Sequence, residues 1–145
     1  MNWKMEATDK IRRYGAVRMA LINIPAEIKR LHMEAESIRS ARTDTVAVTG
    51  GGSKREDALI NNILHRKELE ETLKQVKLWL STTDRAMGTL SSEEKLILHR
   101  LLIYPQPNAI EQLCRELEIE QSTLYRKRDQ ALHRFTFALY GISEL

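Results

Sequence analysis

Eight apolar residues, Tyr14, Val17, Leu21, Ile24, Ile28, Leu31, Ala35 and Ile38, recur at alternating intervals of three and four. That spacing keeps every one of them on a single side of an α-helix, since 3.5 residues is close to one helical turn. The first third of the chain is therefore expected to be a long amphipathic, coiled-coil-like helix. Pro25 lies inside the stripe and removes one backbone hydrogen bond at a cost of about 3 kcal/mol, so a kink or break is expected between Asn23 and Pro25.

The periodicity stops after Ser40. Residues 40–54 include TDTVAVTGGGSK, with three consecutive glycines, and read as a flexible connection. Ser53 and Glu56 have the spacing of a capping box, which predicts a helix start there. Leu59, Ile63, Leu69, Leu73, Val76 and Leu80 then form a second apolar stripe, interrupted near Arg66 and Lys67. Two such helices and their connection predict an antiparallel hairpin, closed on itself or paired with a second copy.

Gly88 and Thr89 interrupt this pattern, which puts a domain boundary at about residue 88: a helical association region over 1–87 and a second domain over 88–145. Ser91 and Glu94 repeat the capping-box spacing. Leu96, Ile97, Leu98, Leu101 and Leu102 cover a wide arc, as in a helix buried between partners. The prolines of YPQPN end that helix, and Asn108 with Glu111 predicts the same style of start for the next. The expected fold class is all-α.

In AIEQLCRELEIEQSTLYRKRDQAL, Leu113, Leu117 and Ile119 supply the inner face of one helix and its turn. Cys114 is the small residue at a helix crossing, and Leu124 anchors the helix that follows. Glu118 occupies the turn position where glycine is common, and Lys127 a position that is often apolar. Leu124, Ala131, Phe135 and Leu139 line the core side of the last helix, so Gln121, Ser122, Tyr125 and Arg126 turn outward. This is the pattern of a helix-turn-helix with its recognition helix.

Charge supports that reading locally rather than globally. The chain carries a formal net charge of +3; residues 1–87 hold 16 Lys and Arg against 12 Asp and Glu, and residues 88–145 hold 7 against 8. Within the second segment, residues 121–134 carry Arg126, Lys127, Arg128 and Arg134 against Asp129 alone. Contact with phosphate depends on such a local field more than on the total.

LSSEEKLILHRLLIY, then AIEQLCRELEIEQSTLYRKRDQALHRF and the closing LYG, together resemble the region-4-like domain of sigma factors. They resemble more closely the phage late-transcription regulators of the ArpU and RinA type, and the upstream TGGGSKREDAL linker with its Glu/Lys-rich helix is similar to phage proteins of the same broad group. The resemblance implies a phage or prophage DNA-binding regulator of late genes, with double-stranded DNA as its partner and host RNA polymerase as another. On matching positions, Gln121, Ser122, Tyr125 and Arg126 are the base-reading candidates, because amide and guanidinium groups fit the edges of adenine and guanine. Thr123, Lys127, Arg128 and Arg134 are the phosphate candidates. A single such motif with about three or four phosphate contacts binds weakly at physiological salt, so a homo-oligomer formed through the N-terminal helices is expected. Two further readings share these features: a packaging protein like terminase small subunits, and a module that docks on RNA polymerase without reading DNA.

Other chemistries find little purchase. His32, His65, His99 and His133 are scattered without zinc-ligand spacing, TGGGSK lacks the phosphate-loop pattern, and no nucleophile–base arrangement stands out. Neither an enzyme nor a cofactor nor a metal is expected. Trp3 and Trp79 read as packing residues. One cysteine, no apolar signal core and no membrane-length apolar run lead to a cytoplasmic expectation without membrane contact.

Overall fold

The computed structural model describes residues 2–44 and 51–142, and all the secondary structure in them is helical. The elements are α1 (Trp3–Asp44), α2 (Gly51–Met87), α3 (Ser92–Leu98), a single π-helical turn (His99–Ile103), α4 (Ala109–Leu117) and α5 (Gln121–Tyr140). The fold class is all-α. No helix among the described residues is long and apolar enough to cross a membrane.

The stripe from Tyr14 to Ile38 is the covered side of α1, with Leu31 and Ala35 buried and the other six half-buried. Of the kink or break expected at Asn23 to Pro25, the break is absent: α1 stays helical through Pro25. The lost hydrogen bond is offset by apolar packing on both sides of it, at Leu21 and Ile24 before it and at Ile28 and Leu31 after it. Within the expected loop over 40–54, residues 40–44 and 51–54 are helical, since α1 continues to Asp44 and α2 includes Gly51 onward. Residues 45–50 lie outside the described residues, as does the side chain of Ser53. Ser53 follows two helical residues, so it does not stand where a capping box requires.

On α2 the covered side runs through Leu59, Asn62, Arg66, Leu69, Leu73, Val76, Leu80 and Thr83, again at intervals of three and four. Two polar residues thus complete the stripe at the place where it looked interrupted. Asn62 is buried; its Nδ2 donates to the Leu31 carbonyl at 2.8 Å, and its Oδ1 accepts from Arg66 Nε at 2.8 Å. Arg66 Nη1 donates to His32 Nδ1 at 2.7 Å. A buried amide without partners would cost about 1–3 kcal/mol; here both of its ends are satisfied.

The chain divides into two units: residues 1–18 with 78–145, and residues 19–77. This differs from the expected boundary at residue 88, and the reason is packing. Ala7 and Ile11 of α1 and Ala86 at the end of α2 share one apolar cluster with Leu98, Ile103, Ala131, Leu132 and Phe135. Tyr14 donates its hydroxyl hydrogen to Asp84, and Arg18 Nη2 reaches Asp84 at 3.1 Å. The two ends of the long helices therefore belong to the unit that holds α3, α4 and α5.

Within that unit, the capping box at Ser91 and Glu94 opens α3: each residue's side chain accepts from the other's backbone N–H, both at 3.1 Å. The helix then widens into the π turn, where Tyr104 N–H donates to the His99 carbonyl at 2.9 Å. Gly15, buried in α1, lies against the Tyr104 ring: a Cβ at that position would sit 2.9 Å from the ring. A glycine in mid-helix costs stability, and here it admits a close approach.

A candidate nucleic-acid interface

The helix start expected at Asn108 is present, since α4 begins at Ala109, but its capping style is not. Asn108 takes a left-handed backbone (φ 61°) and its side chain makes no cap hydrogen bond. Pro105 and Pro107 flank Gln106 ahead of a turn that the Ala109 N–H closes by donating to the Gln106 carbonyl at 3.2 Å, and the reversal falls on Asn108, a residue type that tolerates positive φ better than most.

α4 ends at Leu117, and three residues, Glu118, Ile119 and Glu120, lead into α5. Glu118 is left-handed as well (φ 56°, ψ 46°), and the Ile119 N–H donates to the Cys114 carbonyl at 3.1 Å. This is the turn position where glycine is common, and the glutamate occupies it at a strain of about 1–2 kcal/mol. What holds the corner is a small cluster of its own: Ile97, Leu113 and Leu124 are buried, with Ile110, Cys114, Leu117 and Ile119 packed around them. Farther along α5, Ala131, Leu132 and Phe135 are buried in the first cluster and Leu139 packs at its edge. Burying a side chain of the size of Leu124 or Phe135 contributes roughly 1.5–3 kcal/mol. The helix is thus fastened along one side over most of its length.

The opposite side is open and polar. Gln121, Ser122 and Arg126 are exposed and Tyr125 is half-buried. Gln121 Nε2 donates to the Tyr125 hydroxyl at 2.9 Å, and the Arg128 guanidinium lies 4.9 Å from the Tyr125 ring centroid. The tyrosine is held between a neighbour one turn before it and one about a turn after it, which limits its rotamers. The four base-reading candidates therefore share one accessible surface.

Three of the phosphate candidates are ion-paired. Lys127 is ion-paired with Glu93, Arg134 Nη1 lies 2.9 Å from Glu94, and Arg128 Nη2 lies 3.3 Å from Asp129. The lysine ammonium ties α5 to the first turn of α3. Thr123 is half-buried. Arg126 alone of the four basic candidates makes no ion pair among the described residues. The Lys127 and Arg128 pairs are partly exposed at both ends, and pairs of this kind are worth about 0–1 kcal/mol.

One functional candidate was invisible in the local sequence pattern. Lys4, near the start of α1, lies 3.5 Å from Asp129 and lines a shallow recess with Ser122, Tyr125, Arg126, Gln130 and His133. Nothing in the spacing of residues 1–10 announces this, because it depends on the burial of Ala7 and Ile11 against α5.

The geometry defines an all-α protein whose last two helices meet at a three-residue corner and leave one polar helix side uncovered. Residues 37–136 match the family described as Protein of unknown function (DUF1492), and the chain belongs to that family. The matched stretch begins near the end of α1 and takes in α2, α3, α4 and most of α5. Neither a curated protein nor a solved structure matches the chain.

Proposed function

We propose that this protein is a sequence-specific DNA-binding regulator of transcription, encoded by a phage or prophage and acting on late genes in the bacterial cytoplasm. In this reading α4 and α5 are the helix-turn-helix, similar to that of sigma region 4 and of ArpU- and RinA-type regulators, and host RNA polymerase is a further partner. The observation that carries it is the accessible cluster of Gln121, Ser122, Tyr125 and Arg126 at the start of α5. That helix is anchored from behind by Leu124, Ala131 and Phe135. A helix so fixed, with amide, hydroxyl and guanidinium groups at its leading end, suits the major groove.

Self-association through the N-terminal helices belongs to the same reading. In the unit of residues 19–77 only Leu31, Ala35 and Asn62 are fully buried among the described residues, whereas Met19, Ile22, Met33, Ile60 and Leu64 are half or more exposed. So small an interior offsets little of the chain entropy of two long helices, and a second copy would enlarge it.

Footprinting on the DNA flanking the gene, combined with mass measured in solution, tests both parts. Arg126→Ala is expected to relax sequence preference by about 1–3 kcal/mol at one base pair. Arg128→Ala is expected to weaken binding to all duplexes alike and to flatten the salt dependence. Wild-type protein that protects no site, or variants that bind the natural site as tightly as wild type, would overturn the assignment.

A further inference from the structure

Lys4 is not a loose terminal side chain. Trp3 beside it packs against Tyr140 with ring centroids 4.9 Å apart, and Lys10 Nζ lies 4.8 Å from the Tyr140 ring centroid. Ala7 and Ile11, three and seven residues on, are fully buried against α5. These contacts fix the start of α1 beside the polar side of α5, at the recess that Lys4 shares with Ser122, Tyr125, Arg126, Gln130 and His133.

Resting on the DNA-binding reading above, we propose that this recess seats one phosphate of the DNA backbone, and that Lys4 supplies the contact from outside the α4–α5 segment. The Lys4 ammonium and the Gln130 amide line it, and the neighbouring base-reading candidates Ser122 and Arg126 add a hydroxyl and a positive charge at its edge. A phosphodiester accepts several hydrogen bonds at once and is favoured by such a set. Asp129 is the one acid lining the recess among the described residues, and its Oδ1 is shared between Lys4 at 3.5 Å and Arg128 at 3.3 Å. All three side chains are partly exposed, so these pairs are weak. Asp129 occupies the cations in the free protein, and the phosphate takes Lys4 over from it. Continuity of the recess with Ser122 and Arg126 makes the duplex under α5 its occupant.

The test is equilibrium binding of the full chain to mixed-sequence and natural-site duplexes over a range of salt. Lys4→Gln should lower the slope of log affinity against log salt by about 0.9, equally for every duplex, with the ranking of sequences unchanged; Lys4→Arg should restore the slope. Asp129→Asn should tighten binding several-fold. If Lys4→Gln keeps the wild-type slope while Arg126→Ala still alters sequence preference, the phosphate seat is refuted and the DNA-binding reading stands. A wild-type chain that binds no duplex removes both.

Discussion

The two units solve the same problem, fastening helices side by side, with different materials. In the unit of residues 1–18 and 78–145 the contacts are apolar and closed: Ile11, Ile97, Leu98, Leu113, Leu124 and Phe135 are fully buried. Among the described residues of 19–77 the one buried polar side chain, Asn62, bridges to the Leu31 backbone and to Arg66, and few apolar residues are enclosed. Apolar burial supplies stability without direction, whereas a satisfied buried amide specifies register at a cost in stability. The difference predicts a firm unit carrying α5 and a weaker one whose alignment is nonetheless specified.

Both tryptophans, Trp3 and Trp79, fall in the first unit and none in the second, so fluorescence reports one unit while far-ultraviolet circular dichroism reports both. The largest effect should come from Phe135→Ala, expected to cost 3–5 kcal/mol, approximately, through the cavity it leaves; denaturant titration should move the fluorescence transition sharply. A simultaneous and equal shift of the whole dichroism signal would break the comparison, because it would make the units one cooperative body. Asn62→Ala comes next, at about 1–3 kcal/mol, seen by dichroism and absent from fluorescence. Glu118→Gly should raise the stability of the fluorescence-reported unit by on the order of 1 kcal/mol, since glycine takes a positive φ without strain. Smallest of all, Lys127→Met should change stability by less than about 1 kcal/mol; a larger loss in thermal or denaturant unfolding would mean that the Glu93 pair holds α5 in position.

How much of this was legible beforehand depended on whether apolar residues alone carried the message. The α1 stripe, the α3 capping box and the inner face of α5 are written in hydrophobic spacing and short-range capping chemistry, and they hold in the structure. The α2 stripe misled at Arg66 because Asn62 and Arg66 take inward positions, and hydrophobic periodicity has no means of recognising a polar residue whose partners come from another helix. The helical continuation of α1 through Pro25 followed from packing on either side of it. At the candidate interface, the outward set from Gln121 to Arg126 followed from the residues buried behind it. The pairing of Lys127 and Arg134 with Glu93 and Glu94 did not, nor did the arrival of Lys4, since both join residues more than thirty positions apart.

Gly15 shows how far such long-range joining extends. It has only hydrogen where other residues carry carbon, and the Tyr104 ring occupies the space so left. Tyr104 closes the π turn, directly ahead of the proline-bounded stretch that delivers the chain to α4. Any larger residue at position 15 would press on the far end of that ring, and Tyr104, half exposed, would have to swing outward to make room. A methyl group added in α1 would thus be felt some ninety residues further on, at the close of the π turn.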